Sequence, residues 1–188
     1  VVNSMIDTLF AGGYGTEEEP YQIETAQQLS NIRFSMDSHY VLNNDIDLEG
    51  VVWDPIGESH SISCGDGCST PIVDNPFTGS LSGENSGNDY KIMNLSSNGY
   101  IEYFGLFDVI DGATIMNLEI VDVDIYGRIV GSLAKYMNGN TVLENITVTG
   151  IIKTQYSAGG IAGWGIGDTS TATIRNVTNK ATIIADRD

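Results

Sequence analysis

The sequence predicts an all-β protein, a parallel β-helix (solenoid) of about four to five coils with an N-terminal capping helix. Three observations predict it. A five-residue phrase containing asparagine recurs four times, a glycine-led apolar phrase precedes each copy, and 22 of the 188 residues are glycine. A repeat period between about 20 and 50 residues is typical of solenoids, propellers and arrays. Each copy holds short runs of strand-forming residues separated by Gly, Asn and Asp, which favours the solenoid.

The asparagine phrases occupy residues 91–95, 114–118, 142–146 and 173–177, and the glycine phrases begin at Gly79, Gly105, Gly131 and Gly159. Stacked coils pair strand on strand about 4.7–4.9 Å apart, so equivalent residues lie above one another. The four asparagines, Asn94, Asn117, Asn145 and Asn176, are therefore predicted to form a structural ladder of amide hydrogen bonds. A simpler interpretation is that each asparagine permits a left-handed turn.

The chain divides into three parts, which are expected to form a single domain overall. Residues 1–57 form an N-terminal cap with the first strands, residues 58–76 a cysteine-bearing loop insert, and residues 77–188 the β-helix repeats. Thr25 is placed to cap a helix at about 25–36, where Leu29 and Ile32 approximate one apolar face. Such a helix would cover the core of the first coil.

Oxygen-bearing side chains alternate along the stretch after Leu42. Asn43, Asp45, Asp47 and Glu49 share one face, opposite Ile46 and Leu48. Calcium takes six to eight oxygen ligands, so this face is a candidate calcium site. The alternative is a solvated strand face that also blocks edge pairing, because a straight strand spaces such side chains about 7 Å apart.

The chain has two cysteines, Cys64 and Cys68, in a glycine-rich segment. The spacing predicts a small disulfide loop and an oxidising compartment. Alternatives are a metal site formed with His60 and Asp66, whose spacing departs from the usual zinc signature, and two free thiols.

Tyr136 and Trp164 fall three residues after Leu133 and Ile161, at equivalent places in successive coils. Pointing outward, they would form a two-ring platform on which a sugar stacks. Pointing inward, they would pack beneath a turn.

Composition excludes several classes of function. Eight basic residues stand against 25 acidic ones, for a net charge of −17, which argues against nucleic acid as a partner and against docking on an anionic membrane. No apolar run approaches the roughly 20 residues of a membrane span. Only His39 and His60 are present, without a His-Glu-x-x-His motif. No catalytic residue is predicted, and the chain is not expected to be an enzyme.

The ordered phrases also resemble a known family. Residues 12–29, 40–48, 53–57 and 77–83, with the glycine phrases of the third and fourth coils, resemble GLUG-motif domains over nearly the whole chain. The resemblance implies a right-handed β-helix in a secreted or surface-anchored microbial protein. Such domains occur in adhesin-like proteins and beside the protease domain of immunoglobulin A metalloproteases, and they carry no catalytic residues to transfer. The cysteine-bearing insert departs from the pattern and could be this protein's own recognition loop.

Three functions are compatible with these features. The first is a non-catalytic extracellular adhesin or surface-stalk module, whose partner is a glycan or protein on a host or neighbouring cell. The second is a self-assembling subunit of a surface layer or filament, whose partners are copies of itself. The third is a polysaccharide-processing β-helix enzyme, which rests on fold analogy alone. No cofactor is expected, apart from the candidate calcium ion at the acidic face. Because the chain opens at Val1 without a basic segment, it is interpreted as a mature or excised fragment of an extracellular or cell-surface protein.

Overall fold

The computed structural model describes residues 9–65, 68–165 and 171–186, and between residues 61 and 71 it describes the backbone alone. Its helical segments are α1 (Ala26–Ser30) and a 3-10 turn (Asn31–Phe34). The strands are β1 (Tyr21–Ile23), β2 (His39–Leu42), β3 (Ile46–Asp47), β4 (Glu58–Gly65), β5 (Cys68–Asn75), β6 (Ser80–Ser82), β7 (Glu84–Asn85), β8 (Asn88–Asp89), β9 (Lys91–Met93), β10 (Ser96–Phe104), β11 (Phe107–Asp111), β12 (Thr114–Gly131), β13 (Ala134–Asn138), β14 (Val142–Gly159), β15 (Ala162–Gly165), β16 (Thr173–Arg175), β17 (Thr178–Asn179) and β18 (Thr182–Ala185).

The chain winds as a parallel solenoid, which confirms the predicted fold class. Strands β1, β2, β6, β12, β14 and β16 follow one another across the main sheet, and each neighbouring pair is parallel. Strands β11, β13 and β15 form a second parallel sheet. This second sheet has three strands. About three coils therefore contribute a strand to both sheets, fewer than the four to five coils predicted.

Rows of aliphatic side chains fill the interior. Ile92, Ile120 and Val148 stack through the pairing of β9, β12 and β14, and all three are fully buried. Each such residue contributes roughly 1.5–3 kcal/mol through burial. Towards the N-terminal end the filling changes to a column of aromatic rings, whose members are Phe10, Tyr21, Tyr40, Phe77 and Phe107.

The helical segment covers this aromatic end of the core. The Thr25 hydroxyl accepts the Gln28 N–H at 3.2 Å and caps α1. Leu29 and Ile32 are fully buried. The helix is shorter than predicted because the chain tightens into a 3-10 turn after Ser30, and this turn leaves Phe34 64% exposed.

Glycine opens each repeat because backbone atoms, either of its own turn or of the neighbouring coil, lie against its Cα. A Cβ built on Gly131 would lie 2.3 Å from the Ala134 carbonyl oxygen, and one on Gly159 would lie 1.9 Å from the Ala162 carbonyl oxygen. Neither glycine has a left-handed φ. Their missing side chain, rather than their conformational freedom, is what the fold requires.

The insert predicted as an irregular loop contains a β-hairpin. Strands β4 and β5 pair antiparallel from Glu58↔Asn75 to Gly65↔Cys68. The hairpin lies against the outer wall of the solenoid, where the Ser59 hydroxyl donates to Asp108 Oδ2 at 2.6 Å. Val73 packs there on a small cluster that lies outside the main core and contains Tyr136.

Candidate binding face

Of the two alternatives for Tyr136 and Trp164, inward packing holds for Tyr136 and outward exposure for Trp164, so they form no shared platform although they pair in register between β13 and β15. Tyr136 is 3% exposed. It packs beneath the hairpin with Val109 and Ile129, and the Lys135 ammonium lies 4.7 Å from its ring centroid. Trp164 is 41% exposed. The β4–β5 hairpin and Lys135 cover Tyr136 but do not cover Trp164 in the next coil.

Trp164 has a different aromatic neighbour. The ring of Tyr156, which is 57% exposed, lies 6.3 Å from the Trp164 ring at an interplanar angle of 34°. The Arg128 guanidinium lies over the other ring of this pair, with its central carbon 5.0 Å from the Tyr156 centroid. This cation–π contact holds Tyr156 in an outward position.

The exposed aromatic surface continues across the neighbouring strands. Tyr126 pairs in register with Tyr100 of β10, and their rings meet edge to face at 5.2 Å. Gln155 links the two groups, because its Nε2 donates to the Tyr126 hydroxyl at 3.1 Å and Gln155 directly precedes Tyr156. We refer to Tyr100, Tyr126, Arg128, Tyr156 and Trp164 together as the aromatic strip.

The alternation of the long strands explains why these rings face outward. Val123 and Ile125 are buried in the core, so Asp124 and Tyr126 point to the opposite side of β12. This alternation is visible in the sequence and could have identified Tyr126. Tyr156 could not be found in this way, because a register shift between Gly127 and Ile129 changes which residues of β14 lie opposite β12.

The strip combines flat apolar faces with hydrogen-bonding groups at their edges. Tyrosine and tryptophan provide large contact areas at low conformational cost and bring a polar hydroxyl or N–H group. An extended row of such rings suits a ligand that is itself a chain of flat, hydroxylated units. Among the described residues, this is the largest grouping of exposed aromatic side chains.

The predicted asparagine ladder is present in three of its four members. Asn145 Nδ2 donates to Asn117 Oδ1 at 2.7 Å, and Asn176 Nδ2 donates to Asn145 Oδ1 at 3.1 Å. All three have φ between 51° and 55°, so the ladder and the left-handed turn occur together. Asn94 is not part of the ladder, contrary to the prediction. Residues 91–93 of its phrase pair with residues 119–121 rather than 114–116, and the Asn94 amide donates to Asp47 Oδ1 at 2.8 Å.

The predicted calcium ligands each have separate neighbours. Asn43 bonds to Glu24 and Asn85. Asp45 accepts the Lys91 N–H at 3.1 Å, Asp47 accepts from Asn94 and from the Glu49 N–H, and Glu49 is exposed. Within residues 9–65, 68–165 and 171–186, no three His, Cys, Asp or Glu side chains form a group that could hold a metal ion. Calcium binding stays a prediction.

Asn94 sets the protonation of Asp47. Its amide, followed by the Glu49 N–H, holds the pKa of the Asp47 carboxyl below its usual 3.8. A depressed folded-state pKa contributes stability above the unfolded pKa, and this stability is lost as pH falls through the folded value.

We expect Asn94→Gly, which removes the amide and tolerates the φ of 60°, to raise the Asp47 pKa. Carboxyl NMR titration measures this shift. Asn176→Gly is the matched control, and an unchanged Asp47 pKa in Asn94→Gly would contradict the assignment.

The side chains of Cys64, Asp66 and Cys68 lie outside the described residues. The backbone places both cysteines near the tip of the β4–β5 hairpin. The disulfide and its alternatives therefore stay predictions.

Comparison with known proteins finds relatives among large bacterial proteins. The family model of the M26 IgA1-specific metallo-endopeptidase N-terminal region matches residues 62–150. A candidate Gly-rich membrane protein from Evansella cellulosilytica is 33% identical over 153 residues, which is 75% of this chain and 16% of that protein. An immunoglobulin A1 protease from Streptococcus sanguinis is 36% identical over 86 residues, 45% of this chain and 4% of the protease. The chain therefore spans a small part of the relatives it matches.

One solved structure shares the fold. A crystal structure of a candidate immunoglobulin A1 protease from Bacteroides ovatus superposes with a TM-score of 0.64 at 24% identity, over 92% of this chain and 50% of that one. This structure shows the shared fold, and the sequence matches support the predicted association with regions of immunoglobulin A proteases. They do not test the GLUG-motif assignment. No helix within the described residues is long and apolar enough to cross a membrane.

Proposed function

We propose that this chain is a non-catalytic module of a larger extracellular or cell-surface protein, and that it binds a surface glycan through the aromatic strip. The observation that carries the proposal is the strip itself, four outward rings held by neighbouring side chains on a regular parallel scaffold. Rigid strands position a binding surface more accurately than loops do.

Two further facts support the surface module. The family match is to the N-terminal region of a metallo-endopeptidase, and a longer relative is described as a membrane protein. A net charge of −17 favours solubility at a crowded surface and disfavours nucleic acid as the partner. Binding or spacing beside other domains is a role that such a scaffold fills without chemistry of its own.

A glycan array tests the proposal with the purified chain and the double variant Tyr156→Ala, Trp164→Ala. We expect the chain to bind at least one class of oligosaccharide and the variant to bind about tenfold more weakly, because it loses two stacking surfaces worth roughly 0.5–1.5 kcal/mol each. Tyr14→Ala is the matched control, since Tyr14 is 66% exposed and lies outside the strip.

Two results would overturn the proposal. One is equal binding by the chain and the double variant when their melting temperatures agree, which would remove the strip as the binding face. The other is release of new reducing ends from a polysaccharide panel, which would make the module catalytic.

A further inference from the structure

The aromatic strip carries cations that have no carboxylate partner, in a chain where acids outnumber bases by 25 to 8. Four described cations are paired, Arg33 with Asp54, Lys91 with Asp45, Lys135 with Asp108 and Arg175 with Glu144. Within the described residues, Arg128, Lys153 and Lys180 make no ion pair. Of these three, Arg128 belongs to the aromatic strip and Lys153 lies beside it, next to Tyr126 in the register of β12 and β14.

Strand register brings these two cations together with the rings. Lys153 pairs with Tyr126 between β14 and β12 and is exposed. Arg128 follows Tyr126 by two residues on the same strand and stacks on Tyr156. Two carboxylates, Glu102 and Asp124, lie on the neighbouring outward positions of β10 and β12, but neither makes an ion pair with Arg128 or Lys153.

The geometry of Arg128 favours recognition of a planar anion. Its guanidinium lies over the Tyr156 ring, with the central carbon 5.0 Å from the ring centroid, and its planar set of N–H groups can donate in a fork to a carboxylate. Physiological salt screens the carboxylates that lie beyond about 8 Å. Glu102 lies closer, opposite Arg128 in the register of β10 and β12, so the two cations must also offset its repulsion of the anion.

We propose that the glycan bound by the strip is a carboxylate-bearing oligosaccharide, with sugar rings stacked on the aromatic residues and the carboxylate bound by Arg128 and Lys153. This inference rests on the proposed function and specifies its ligand class. The anion and the stacking surface both contribute to binding, because the cations and the rings lie side by side on one face.

Oligogalacturonide and its methyl ester test the proposal, because the ester keeps the sugar rings and masks the carboxylate. We expect the acid to bind about fivefold more tightly than the ester, as two exposed ion pairs would give. In the variant Arg128→Gln, Lys153→Gln the acid and the ester should bind equally. Lys180→Gln, which removes an unpaired cation outside the strip, should keep the fivefold difference.

The outcomes separate this inference from the proposed function. If the ester binds as tightly as the acid and Tyr156→Ala, Trp164→Ala weakens both, the anion requirement is overturned and the glycan-binding face stands. If polyglutamate, or a sulfated glycan without carboxylates, binds as tightly as the acid, the ligand class is overturned. If neither the acid, the ester nor any glycan of the array binds, the proposed function itself fails. Lys153→Gln alone should lower the acid-to-ester preference without disturbing the stacked pair of Arg128 and Tyr156, which keeps the test valid should the double variant fold poorly.

Discussion

Replacing Lys135 with methionine is expected to lower the free energy of unfolding by about 3 kcal/mol. Lys135 is 4% exposed on the outer wall of the solenoid, beneath the β4–β5 hairpin, and its ammonium forms an ion pair with Asp108. The same ammonium lies 4.6 Å from the Tyr103 ring centroid and 4.7 Å from that of Tyr136. Methionine keeps the volume but removes the charge. The Asp108 carboxylate would then retain only the Ser59 hydroxyl among these contacts, and removing one partner of a buried pair costs about 3–5 kcal/mol.

The double variant Lys135→Met, Asp108→Asn separates loss of charge from loss of packing. Because it removes both charges, it should recover most of the stability, to within about 1 kcal/mol of the natural chain. Lys153→Met is the matched control, since Lys153 is exposed and makes no ion pair within the described residues. Urea unfolding followed by circular dichroism measures all three variants. Equal losses in the single and double variants would mean that the packing of the lysine chain, rather than its pairing, stabilises the wall.

The repeat predicted the solenoid correctly because each copy specifies its own strands and turn through nearby residues. Each copy places apolar residues on one side of a strand and a turn-forming asparagine at its end, and stacking is the arrangement that buries these strands. Sequence similarity alone gave the wrong strand pairing for the first copy of the phrase. Residues 91–95 resemble 114–118 in sequence, yet Lys91 pairs with Glu119 and Ser80 pairs with Thr114.

The reason for this shift is a small hairpin in the first coil. Strands β7 and β8 are inserted between β6 and β9, and they are joined through Ser86 and Gly87, whose φ angles are 54° and 81°. Both registers would bury an isoleucine and place an asparagine at a corner, so the phrase alone could not distinguish them. Only the pairing of whole strands decides between them.

The candidate site was less predictable than the fold. Trp164 could be proposed from the sequence as a surface ring, whereas Tyr156, the ring beside it, could not be identified. Tyr136 is buried because the β4–β5 hairpin and Lys135 cover it, and where an insert of this length folds back is a tertiary property. The aromatic strip depends in the same way on a register shift between β12 and β14.

Gly131→Ala is expected to destabilise the solenoid by about 3 kcal/mol or to prevent folding. The new Cβ would lie 2.3 Å from the Ala134 carbonyl oxygen, 2.6 Å from the Gly163 nitrogen and 2.8 Å from the Ala162 carbonyl carbon. All three are backbone atoms, so no side chain can rotate away, and relief requires both the turn at residues 131–134 and the neighbouring coil to shift. Overpacking of this kind costs typically 1–3 kcal/mol and occasionally more. The lower unfolded-state entropy of alanine returns only about 0.4–1 kcal/mol.

Gly165→Ala is the matched control, because it is a nearby glycine whose added Cβ meets no heavy atom of the described residues within 4 Å and whose φ is not left-handed. We expect its unfolding free energy to stay within about 0.5 kcal/mol of the natural chain. Differential scanning calorimetry on the two variants compares them directly, and equal melting temperatures would refute the close approach. Since Gly79, Gly105 and Gly159 meet backbone atoms at 1.9–2.8 Å in the same way, a confirmed loss at Gly131 would explain why glycine opens each repeat. At this position the close backbone of the turn and of the neighbouring coil, rather than the dihedral angle, excludes every other residue.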